Sequence, residues 1–434
     1  MITRETLLSG TSLAGGVPPG CPSDAAAVIP GSSGGKKVSL GITDKLLSSH
    51  LLLLGSTGSG KTNTLMHLIP QLRARMGKDD VMLVFDPKLD YRCFHRPGDP
   101  VIGTGSTEAG WNIFKEVLSD GAAPETVSAN SDEISEVIFA EQIEASAQPF
   151  FPMAARDIFS AVLTAMALNG IAEGSMGSSL TNKALSEQLR KLDADKLHAL
   201  VRPYPMLTGV MKYVGNGRSD QSLGILAELQ SASGRFLSRE FCGTGGFSVR
   251  QTVKHRDGRA IFLEYDPSRG QAMRPAFRLM TDLFLKEALS PRQSDSGRKY
   301  LICDEAAMLA GLGRLEDGLN FGRSLGLSVV AGLQSLEQLY KHYGENGGRI
   351  IASAFQTVFC FHTTDEASRK YITGLFGSNR SAIQYISPSG KTEETVRDGC
   401  AVEDWDISSL GRGEAIVGMP YCPPFRFTAG LYRR

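Results

Sequence analysis

The chain has 434 residues, enough for two or three domains, and its apolar, charged and glycine contents are those of an ordinary soluble globular protein. This composition excludes a disordered chain and a fibrous repeat. Lysine plus arginine equals aspartate plus glutamate at 46 each, so no overall basic field attracts the protein to nucleic acid or to anionic lipid. Any contact with a polyanion must therefore come from local patches or from a lined channel.

The first 37 residues are rich in glycine, serine and proline and show no sustained period. We predict that residues 1–37 form an irregular leader and that ordered structure begins around Val38. Beyond this point short apolar runs alternate with helical patterns, which favours an α/β fold with a buried, mostly parallel sheet covered on both faces. The polar segment Ser378–Gly411 is predicted to be a surface excursion before the final strands. The predicted strands are Leu51–Leu54, Val81–Phe85, Ala260–Glu264, Tyr300–Cys303, Ser328–Ala331, Val358–Phe361 and Ala415–Val417.

The long interval between the second and third predicted strands contains helical patterns and no convincing strand. Apolar residues recur at helical spacing in Ala154–Leu168 and again in Leu185–Leu200. We therefore predict an all-α domain over residues 112–245, inserted into a nucleotide-binding domain that is formed by residues 38–111 and 246–434.

Neither the apolar runs nor the cysteines indicate a membrane-spanning or extracellular protein. The longest apolar run, Leu46–Leu54, is interrupted by polar residues and is far shorter than the roughly 18–20 residues that cross a bilayer, so no transmembrane helix is predicted. The seven cysteines include no Cys-x-x-Cys pair and have no histidine nearby at zinc spacing. This pattern favours reduced cysteines in a cytoplasmic protein.

The segment after the first predicted strand has the pattern of a phosphate-binding loop, with a strand before it and a helix after it. Glycines let its backbone N–H groups face phosphate oxygens, Lys61 supplies a positive charge to the β- and γ-phosphates, and the Thr62 hydroxyl reaches magnesium. The helix that starts near Asn63 adds the partial positive charge of its N-terminus. The predicted nucleotide-binding residues are Gly55, Ser56, Thr57, Gly58, Ser59, Gly60, Lys61 and Thr62.

The run Lys299–Ala306 is an apolar strand that ends in two carboxylates. Because adjacent side chains diverge at the end of a strand, Asp304 is predicted to hold the magnesium shell while Glu305 polarises a water for attack on the γ-phosphate. Together with the phosphate loop, this pair indicates hydrolysis of a nucleoside triphosphate rather than binding alone.

Three further segments are candidates for the site. Gln334 follows the strand Leu327–Leu333, where its amide would touch the γ-phosphate and report its loss. Arg323 lies on what looks like the helix after Asp304; it is either an arginine that reaches a neighbouring subunit's nucleotide or an ordinary surface residue, and spacing alone does not decide. Asp86-Pro-Lys88 ends the second strand at the same rim as the phosphate loop and has no assigned role.

These motifs, in this order, resemble the type IV secretion coupling proteins, hexameric pumps of conjugative DNA transfer related to the FtsK/HerA ATPases. The phosphate loop and the acidic pair occur in many ATPases, and the more specific feature is Gly322-Arg-Ser-Leu-Gly326 followed by Gln334-Ser335. The resemblance extends from about His50 to about Phe427 and implies a RecA-like motor domain with an inserted all-α domain. Other resembling segments are Asp86-Pro-Lys88, Trp111-Asn112, Pro149–Arg156, Asp304–Ala307, Gln338-Leu339, Tyr343-Gly344, Gly413–Val417 and Pro423-Pro424.

Carried onto this sequence, the resemblance implies a role for each candidate residue. Thr62 and Asp304 would hold Mg²⁺ beside the bound ATP, and Glu305 would be the hydrolytic carboxylate. Gln334 would be the sensor, and Arg323 would be donated across a subunit boundary to stabilise transition-state charge.

The resemblance also implies partners. A homo-oligomeric ring, a hexamer, would pull DNA through its channel by contacts to phosphates that are not sequence-specific, and would cooperate with relaxase and secretion-channel proteins.

Coupling proteins usually carry transmembrane helices before the phosphate loop, whereas the 54 residues before Gly55 contain none. This departure indicates a soluble member, a protein that docks on a membrane-anchored partner at the inner face of the cell membrane, or a shortened chain. Two alternative functions stay open: a cargo-receptor ATPase for secreted proteins, and a HerA-like DNA translocase that works with a nuclease in repair or phage defence.

Overall fold

The structure is a computed structural model that describes residues 2–13, 17–103, 110–175, 179–237, 241–268, 273–291, 297–309, 311–386 and 391–433. The strands in these residues are β1 (Ile2–Ser9), β2 (Ala25–Ser33), β3 (Lys36–Thr43), β4 (Leu51–Leu54), β5 (Val81–Asp86), β6 (Val101–Gly103), β7 (Ala260–Glu264), β8 (Lys299–Cys303), β9 (Leu327–Leu333), β10 (Thr357–Phe361), β11 (Ser378–Ile386), β12 (Thr392–Cys400), β13 (Glu414–Met419) and β14 (Cys422–Ala429).

The α-helices of the described residues lie between these strands. They are α1 (Asp44–Ser48), α2 (Lys61–Arg75), α3 (Ile113–Val117), α4 (Pro124–Ala145), α5 (Phe150–Ala172), α6 (Asn182–Arg190), α7 (Ala194–Val201), α8 (Met211–Val214), α9 (Asp220–Phe236), α10 (Val249–His255), α11 (Arg274–Leu289), α12 (Leu315–Phe321), α13 (Leu336–Ser353), α14 (Glu366–Leu375) and α15 (Asp404–Ser408). Two 3-10 helices, Ala306–Leu309 and Gly322–Leu325, lie near the candidate site residues.

One large sheet organises the chain. Its strand order is β3-β2-β14-β13-β10-β4-β9-β8-β5-β7-β6. Neighbours from β10 to β6 are parallel, whereas β13, β14, β2 and β3 are added antiparallel. All seven predicted strands are present in this sheet, several with longer bounds. The predicted α/β fold with a mostly parallel sheet is therefore confirmed.

The central strands are buried on both faces, which explains their unbroken apolar sequences. In β4, Leu52 and Leu54 belong to one hydrophobic core, and Leu51 and Leu53 belong to a second one. Successive side chains of a strand point to opposite faces of the sheet. Since α2 contributes to the second core and α11 to the first, neither face of this strand meets solvent.

The prediction of an irregular leader over residues 1–37 is wrong. β2 and β3 form an antiparallel hairpin with Val28 opposite Gly41. The side chain of Gln71 in α2 bonds both the N–H and the C=O of Val28, each at 2.9 Å, while β1 joins a separate three-stranded sheet, β1-β11-β12. The strand β2 is not recognisable in the sequence because Pro30 interrupts it. A proline is tolerated at this position because β2 pairs with β14 only over the last residues of β2.

The described residues of the segment predicted to be a surface excursion before the final strands form two strands and a helix. β11 and β12 pair antiparallel, with Ala382 opposite Val396, and α15 follows them. The side chains of β12 are exposed over most of its length. Such a strand has no apolar face, so alternation of apolar and polar residues does not reveal it.

The interval between β6 and β7 is helical, as predicted. Its central helix is α5, which packs against α4 and α9. The single helix predicted over Leu185–Leu200 is instead two helices, α6 and α7. The break has a local cause, because the side chain of Asp193 accepts the N–H of Lys196 across 2.8 Å and caps α7.

The two ends of this helical interval lie side by side. The N–H of Asn112 donates to the C=O of Phe247 across 2.9 Å. Glu116, which is fully buried just after the first end, accepts the N–H of Val249 just after the second end, across 2.7 Å. We therefore propose that residues 112–245 are an inserted domain and that the flanking residues form the sheet domain.

Helix α5 is the one helix of the described residues that is a candidate membrane span by length and composition. Phe150–Ala172 has 23 residues, and its most apolar stretch of 18 residues has a mean hydropathy of 1.3. In the structure 72% of that window is buried inside the protein. This burial is that of the core helix of a helical domain.

Candidate nucleotide-hydrolysis site

The phosphate loop joins β4 to α2, and its backbone conformation depends on glycine. Gly58 has a φ of 76° and Gly60 a φ of 132°, a region that other residues rarely adopt. A Cβ atom at Gly60 would lie 2.9 Å from the Cα of Gly413, and the N–H of Gly413 donates to the C=O of Ser59 across 2.8 Å. The segment before β13 therefore supports the loop at the point where only glycine fits.

Lys61 begins α2, and its ammonium group lies inside the loop. Its Nζ atom donates to the C=O of Gly55 at 2.5 Å and to that of Ser56 at 3.2 Å. The residue is only 5% exposed, and burial lowers the pKa of Lys61, whereas the carboxylates of Glu305 and Asp304 raise it. The two carboxylates thus favour the charged ammonium that phosphate binding needs.

Thr62 and Asp304 are in contact although they are distant in sequence. The hydroxyl of Thr62 donates to Oδ2 of Asp304 across 3.0 Å and lies 3.3 Å from Oδ1. Asp304 follows β8, is 2% exposed, and is separated from the loop strand β4 by β9. Because Mg²⁺ prefers hydroxyl and carboxylate oxygens, this pair fits the predicted metal position.

Glu305 and Gln334 form a second pair. Nε2 of Gln334 donates to Oε2 of Glu305 across 2.6 Å, while Oε1 of Glu305 is buried and has no hydrogen-bond partner among the described residues. Burial raises the pKa of Glu305, and the bond from Gln334 and the charge of Lys61 lower it. One oxygen of the carboxylate is thus fixed and the other is available to accept a proton.

Arg323 does not join this cluster within one subunit. It lies on the 3-10 helix Gly322–Leu325 after α12, rather than on the predicted helix, and it precedes β9, whereas Gln334 follows β9. A strand of this length separates its two ends by roughly 20 Å. The side chain is exposed. Arg323 is therefore exposed at the end of β9 opposite to the cluster of Lys61, Asp304 and Glu305.

A comparison with known protein families matches most of this chain. The family model described as the type IV secretion-system coupling protein DNA-binding domain matches residues 37–405. The chain belongs to the type IV coupling protein family.

Two curated relatives agree with this assignment. The type IV secretion system-coupling protein VirD4 of Bartonella quintana (strain Toulouse) is 20% identical over 340 residues, which cover 75% of this chain and 53% of the relative. Coupling protein TraD of Escherichia coli (strain K12) is 20% identical over 386 residues, which cover 85% of this chain and 49% of the relative. The chain thus spans about half the length of the curated relatives it matches.

Solved structures of coupling protein TrwB share the fold. Unbound TrwBdeltaN70 matches with a TM-score of 0.73 at 20% identity, over 100% of this chain and 94% of that chain. TrwB in complex with the non-hydrolysable ATP analogue ADPNP gives 0.74 at 21% identity, over 100% and 96%. VirB4 of Thermoanaerobacter pseudethanolicus is less similar, with 0.56 at 16% identity over 96% and 98%. The likeness to TrwB confirms the expected RecA-like fold with an all-α domain.

Two cations at the cavity beside the phosphate loop had no predicted role. Lys88 and Arg412 line an open cavity of about 670 Å³ together with the phosphate loop. The carboxylate of Asp86 accepts the N–H groups of Lys88 at 3.2 Å and of Tyr91 at 2.9 Å, so Asp86 forms the turn that presents Lys88. Arg412 belongs to no recognised motif, and the only feature of the sequence that could point to it is the adjacent Gly413.

The end of the described chain forms another wall of the cavity. Ala429 and Leu431 line it. Between them, the C=O of Gly430 accepts Nδ2 of Asn63 at 2.9 Å and lies 2.8 Å from Nε2 of His67. These bonds attach the segment after β14 to the first turns of α2. No local pattern in the sequence predicts this contact.

Proposed function

We propose that this coupling protein is an ATP-hydrolysing motor that recruits DNA, alone or with bound protein, and moves it toward a type IV secretion channel. The observation that carries the proposal is one cluster, in which Thr62 pairs with Asp304 and Glu305 pairs with Gln334 beside buried Lys61. These side chains follow the neighbouring strands β4, β9 and β8. A lysine, a metal-binding pair and an oriented carboxylate together support hydrolysis of a nucleoside triphosphate.

The ligands that suit this cluster are ATP and Mg²⁺. TrwB has been solved with an ATP analogue and with ADP and Mg²⁺, and two features of the present loop suit the same ligands. Oγ of Ser59 is buried without a hydrogen-bond partner among the described residues, and Lys61 is held at the mouth of the glycine turns by loop carbonyls. Mg²⁺, held by Thr62 and Asp304, would neutralise charge on the β- and γ-phosphates.

Glu305 is the proposed general base. Because Gln334 holds Oε2, Oε1 is the atom that would accept a proton from the attacking water. Gln334 is the proposed sensor. It follows β9 and Arg323 precedes β9, so a shift of Gln334 when the γ-phosphate leaves would be transmitted along one strand toward the subunit boundary.

The proposed assembly is a head-to-tail ring, a hexamer, in which Arg323 of one subunit completes the site of the next. Heterologous contacts that close into a ring bring different surfaces of neighbouring subunits together. Arg323 precedes β9 and the phosphate loop follows the adjacent parallel strand β4, so the two lie at opposite ends of these strands. DNA would be bound through its phosphates by lysines and arginines of the channel, which a net charge of zero permits. Relaxase and channel proteins at the cytoplasmic face, with a membrane-anchored partner, complete the proposed setting.

ATP turnover measured with single-stranded DNA, with double-stranded DNA and without DNA tests this function, with the oligomer mass recorded alongside. A motor predicts turnover that DNA stimulates, and stimulation that weakens as salt rises. Turnover that ignores both DNAs but rises with a candidate cargo protein would favour the cargo-receptor alternative. A protein that binds ATP and shows no turnover as an assembled ring would reject the ATPase itself.

A further inference from the structure

A group of ion pairs joins the helical insert to the segment that connects the hydrolytic pair with Arg323. Its described parts are the 3-10 helix Ala306–Leu309, which follows Glu305, and residues 311–314, which end at Arg314, the N-cap residue of α12. α12 leads directly into the 3-10 helix that bears Arg323. Arg314 therefore stands midway in sequence between the proposed base and the arginine proposed for the neighbouring site.

Arg314 is bound from both domains. Its Nη1 donates to Asp282 in α11, and its N–H lies 3.3 Å from Oδ1 of the same carboxylate. Its Nη2 forms an ion pair with Oε1 of Glu133, in helix α4 of the insert, at 2.5 Å but without the geometry of a hydrogen bond. Glu133 also pairs with Lys286 of α11. The side chains of Asp282 and Glu133 are 1% and 15% exposed, so solvent and salt screen these pairs only weakly.

A second acid of α4 acts on the same segment. Glu141 lies about two turns along the helix from Glu133, and its Oε2 is 3.6 Å from Nη1 of Arg278. Arg278 in turn donates through Nη2 to the C=O of Gly311 across 3.0 Å. The segment 311–314 is thus held at one end by Arg278, to which the half-exposed Glu141 adds a weaker ion pair. At the other end it is held through the pairs of Arg314 with Asp282 and Glu133.

Stability alone does not account for this arrangement. Partly buried ion pairs repay little more than the cost of removing their charges from water, whereas loss of one partner is strongly unfavourable. We therefore infer that the pairs of Arg314 with Asp282 and Glu133 serve the geometry of the junction more than the stability of the fold. A movement of α4 would be transmitted to the segment 311–314, because Glu133 of α4 and Arg314 must either move together or lose their ion pair.

We propose that Arg314 is a positioning residue through which the helical insert controls ATP turnover. Glu133 and Glu141 hold the segment 311–314, and a displacement of α4 when the insert engages cargo changes the placement of Glu305 and Arg323. The inference rests on the proposed ATPase function and adds its regulation.

The test compares Arg314→Gln, Arg314→Lys, Glu133→Gln and the double variant Glu133→Gln/Arg314→Gln in the assembled protein. Glu136→Gln, an exposed glutamate of the same helix, is the matched control. For each variant the kcat and KM of ATP hydrolysis, with and without DNA, are measured together with nucleotide affinity and thermal unfolding. Glu133→Gln leaves Asp282 on Arg314, so it reports on the junction even where Arg314→Gln does not fold.

The expected result is a kcat lowered about 2- to 30-fold in Arg314→Gln and in Glu133→Gln, with KM and nucleotide affinity unchanged. The double variant is expected to be no slower than the slower single variant, because both remove one coupling, and Arg314→Lys is expected to recover part of kcat. Wild-type kcat in both folded single variants would overturn the inference and leave the ATPase standing. A loss confined to unfolding temperature, with kcat untouched, would overturn it in the same way, whereas absence of turnover in the unaltered protein would remove the proposed function itself.

Discussion

The hydroxyl of Thr62 donates to the carboxylate of Asp304 across 3.0 Å and so joins the first turn of α2 to the end of β8. Strand β9 lies between the strands that lead to the two residues. The contact therefore exists only when β4, β9 and β8 end at the same edge of the sheet. Since both oxygens are of the kind that Mg²⁺ prefers, correct folding of three parallel strands would prepare the proposed metal position.

Thr62→Ala tests this relationship. The variant loses the hydroxyl and keeps the loop backbone, so the gain in ATP affinity that Mg²⁺ provides should fall by about 10-fold or more, while binding without Mg²⁺ should change little. Titration with a fluorescent ATP analogue, in Mg²⁺ and in chelator, measures both quantities. Thr62→Ser, which keeps the hydroxyl, is the control and should behave like the unaltered protein. Equal losses with and without Mg²⁺ would assign Thr62 to the loop rather than to the metal.

The pH dependence of turnover reports on the Glu305–Gln334 pair. Burial raises the pKa of Glu305, and the hydrogen bond from Gln334 lowers it. A base acts in its ionised form, so kcat should rise with pH through a pKa above the ordinary glutamate value. Gln334→Ala removes the bond that favours the ionised form and should move the acid limb of log kcat to higher pH. Gln148→Ala, at an exposed position of the insert, should leave the profile unchanged, and an unmoved limb in Gln334→Ala would contradict the pairing.

Glu305→Gln should separate catalysis from stability. Turnover should fall by about 10²- to 10⁴-fold with ATP binding retained, because the general base is lost. The raised pKa of Glu305 means that the folded state binds its proton more tightly than the unfolded state, so ionisation destabilises the fold as pH rises. The neutral variant should therefore unfold at a higher temperature than the unaltered protein at neutral pH, and the difference should vanish in acid. Glu316→Gln, at an exposed position of α12, should show neither effect, and an unchanged unfolding temperature in Glu305→Gln would reject the sign of the shift.

The elements predicted correctly from the sequence are those buried on both faces. β4, β5 and β8 lie inside the sheet, and their unbroken apolar runs follow directly from the absence of a solvent-facing side. β12 is exposed over most of its length, and Pro30 interrupts β2, so neither has a period to detect. The prediction of a single helix over Leu185–Leu200 was wrong for a different reason. The helical spacing of apolar residues continues across Asp193, the residue that caps α7 and separates it from α6.

The site residues were predictable one by one, whereas their pairing was not. Lys61 and Asp304 stand in motifs whose chemistry is local, a glycine turn and an acidic strand end. The bond between Glu305 and Gln334 depends on β8 and β9 being neighbours, and strand order is not written in any local pattern. Arg412 reaches the nucleotide cavity only because β13 begins beside the phosphate loop.

Mixing of two inactive variants tests whether Arg323 acts between subunits. Arg323→Ala should bind ATP and fail to turn it over in the ring, and Glu305→Gln should fail because it lacks the base. In rings assembled from both, a site with intact Glu305 can face a neighbour with intact Arg323, so about a quarter of the interfaces of an equal mixture should regain activity. Recovery of turnover on mixing is measured after dissociation and reassembly. Arg349→Ala, at an exposed arginine of α13, is the control and should be active by itself, and full activity of Arg323→Ala alone would reject the assignment.

Lys88 should distinguish ATP from ADP. It lines the cavity beside the loop. Burial, the largest effect, lowers the pKa of Lys61 and raises the pKa of Glu305, and the charge of Lys88 lowers both pKa values by a smaller amount. Because Lys88 lines the cavity beside Lys61, we expect its charge to act on the γ-phosphate, so Lys88→Met should weaken ATP about 3- to 10-fold and weaken ADP less. Competition titrations with the two nucleotides measure the ratio, and Lys45→Met, at an exposed lysine of α1, should leave both affinities unchanged. Equal weakening of ATP and ADP would place the Lys88 charge at the shared phosphates, and the turn built by Asp86 would then serve nucleotide binding without favouring the triphosphate.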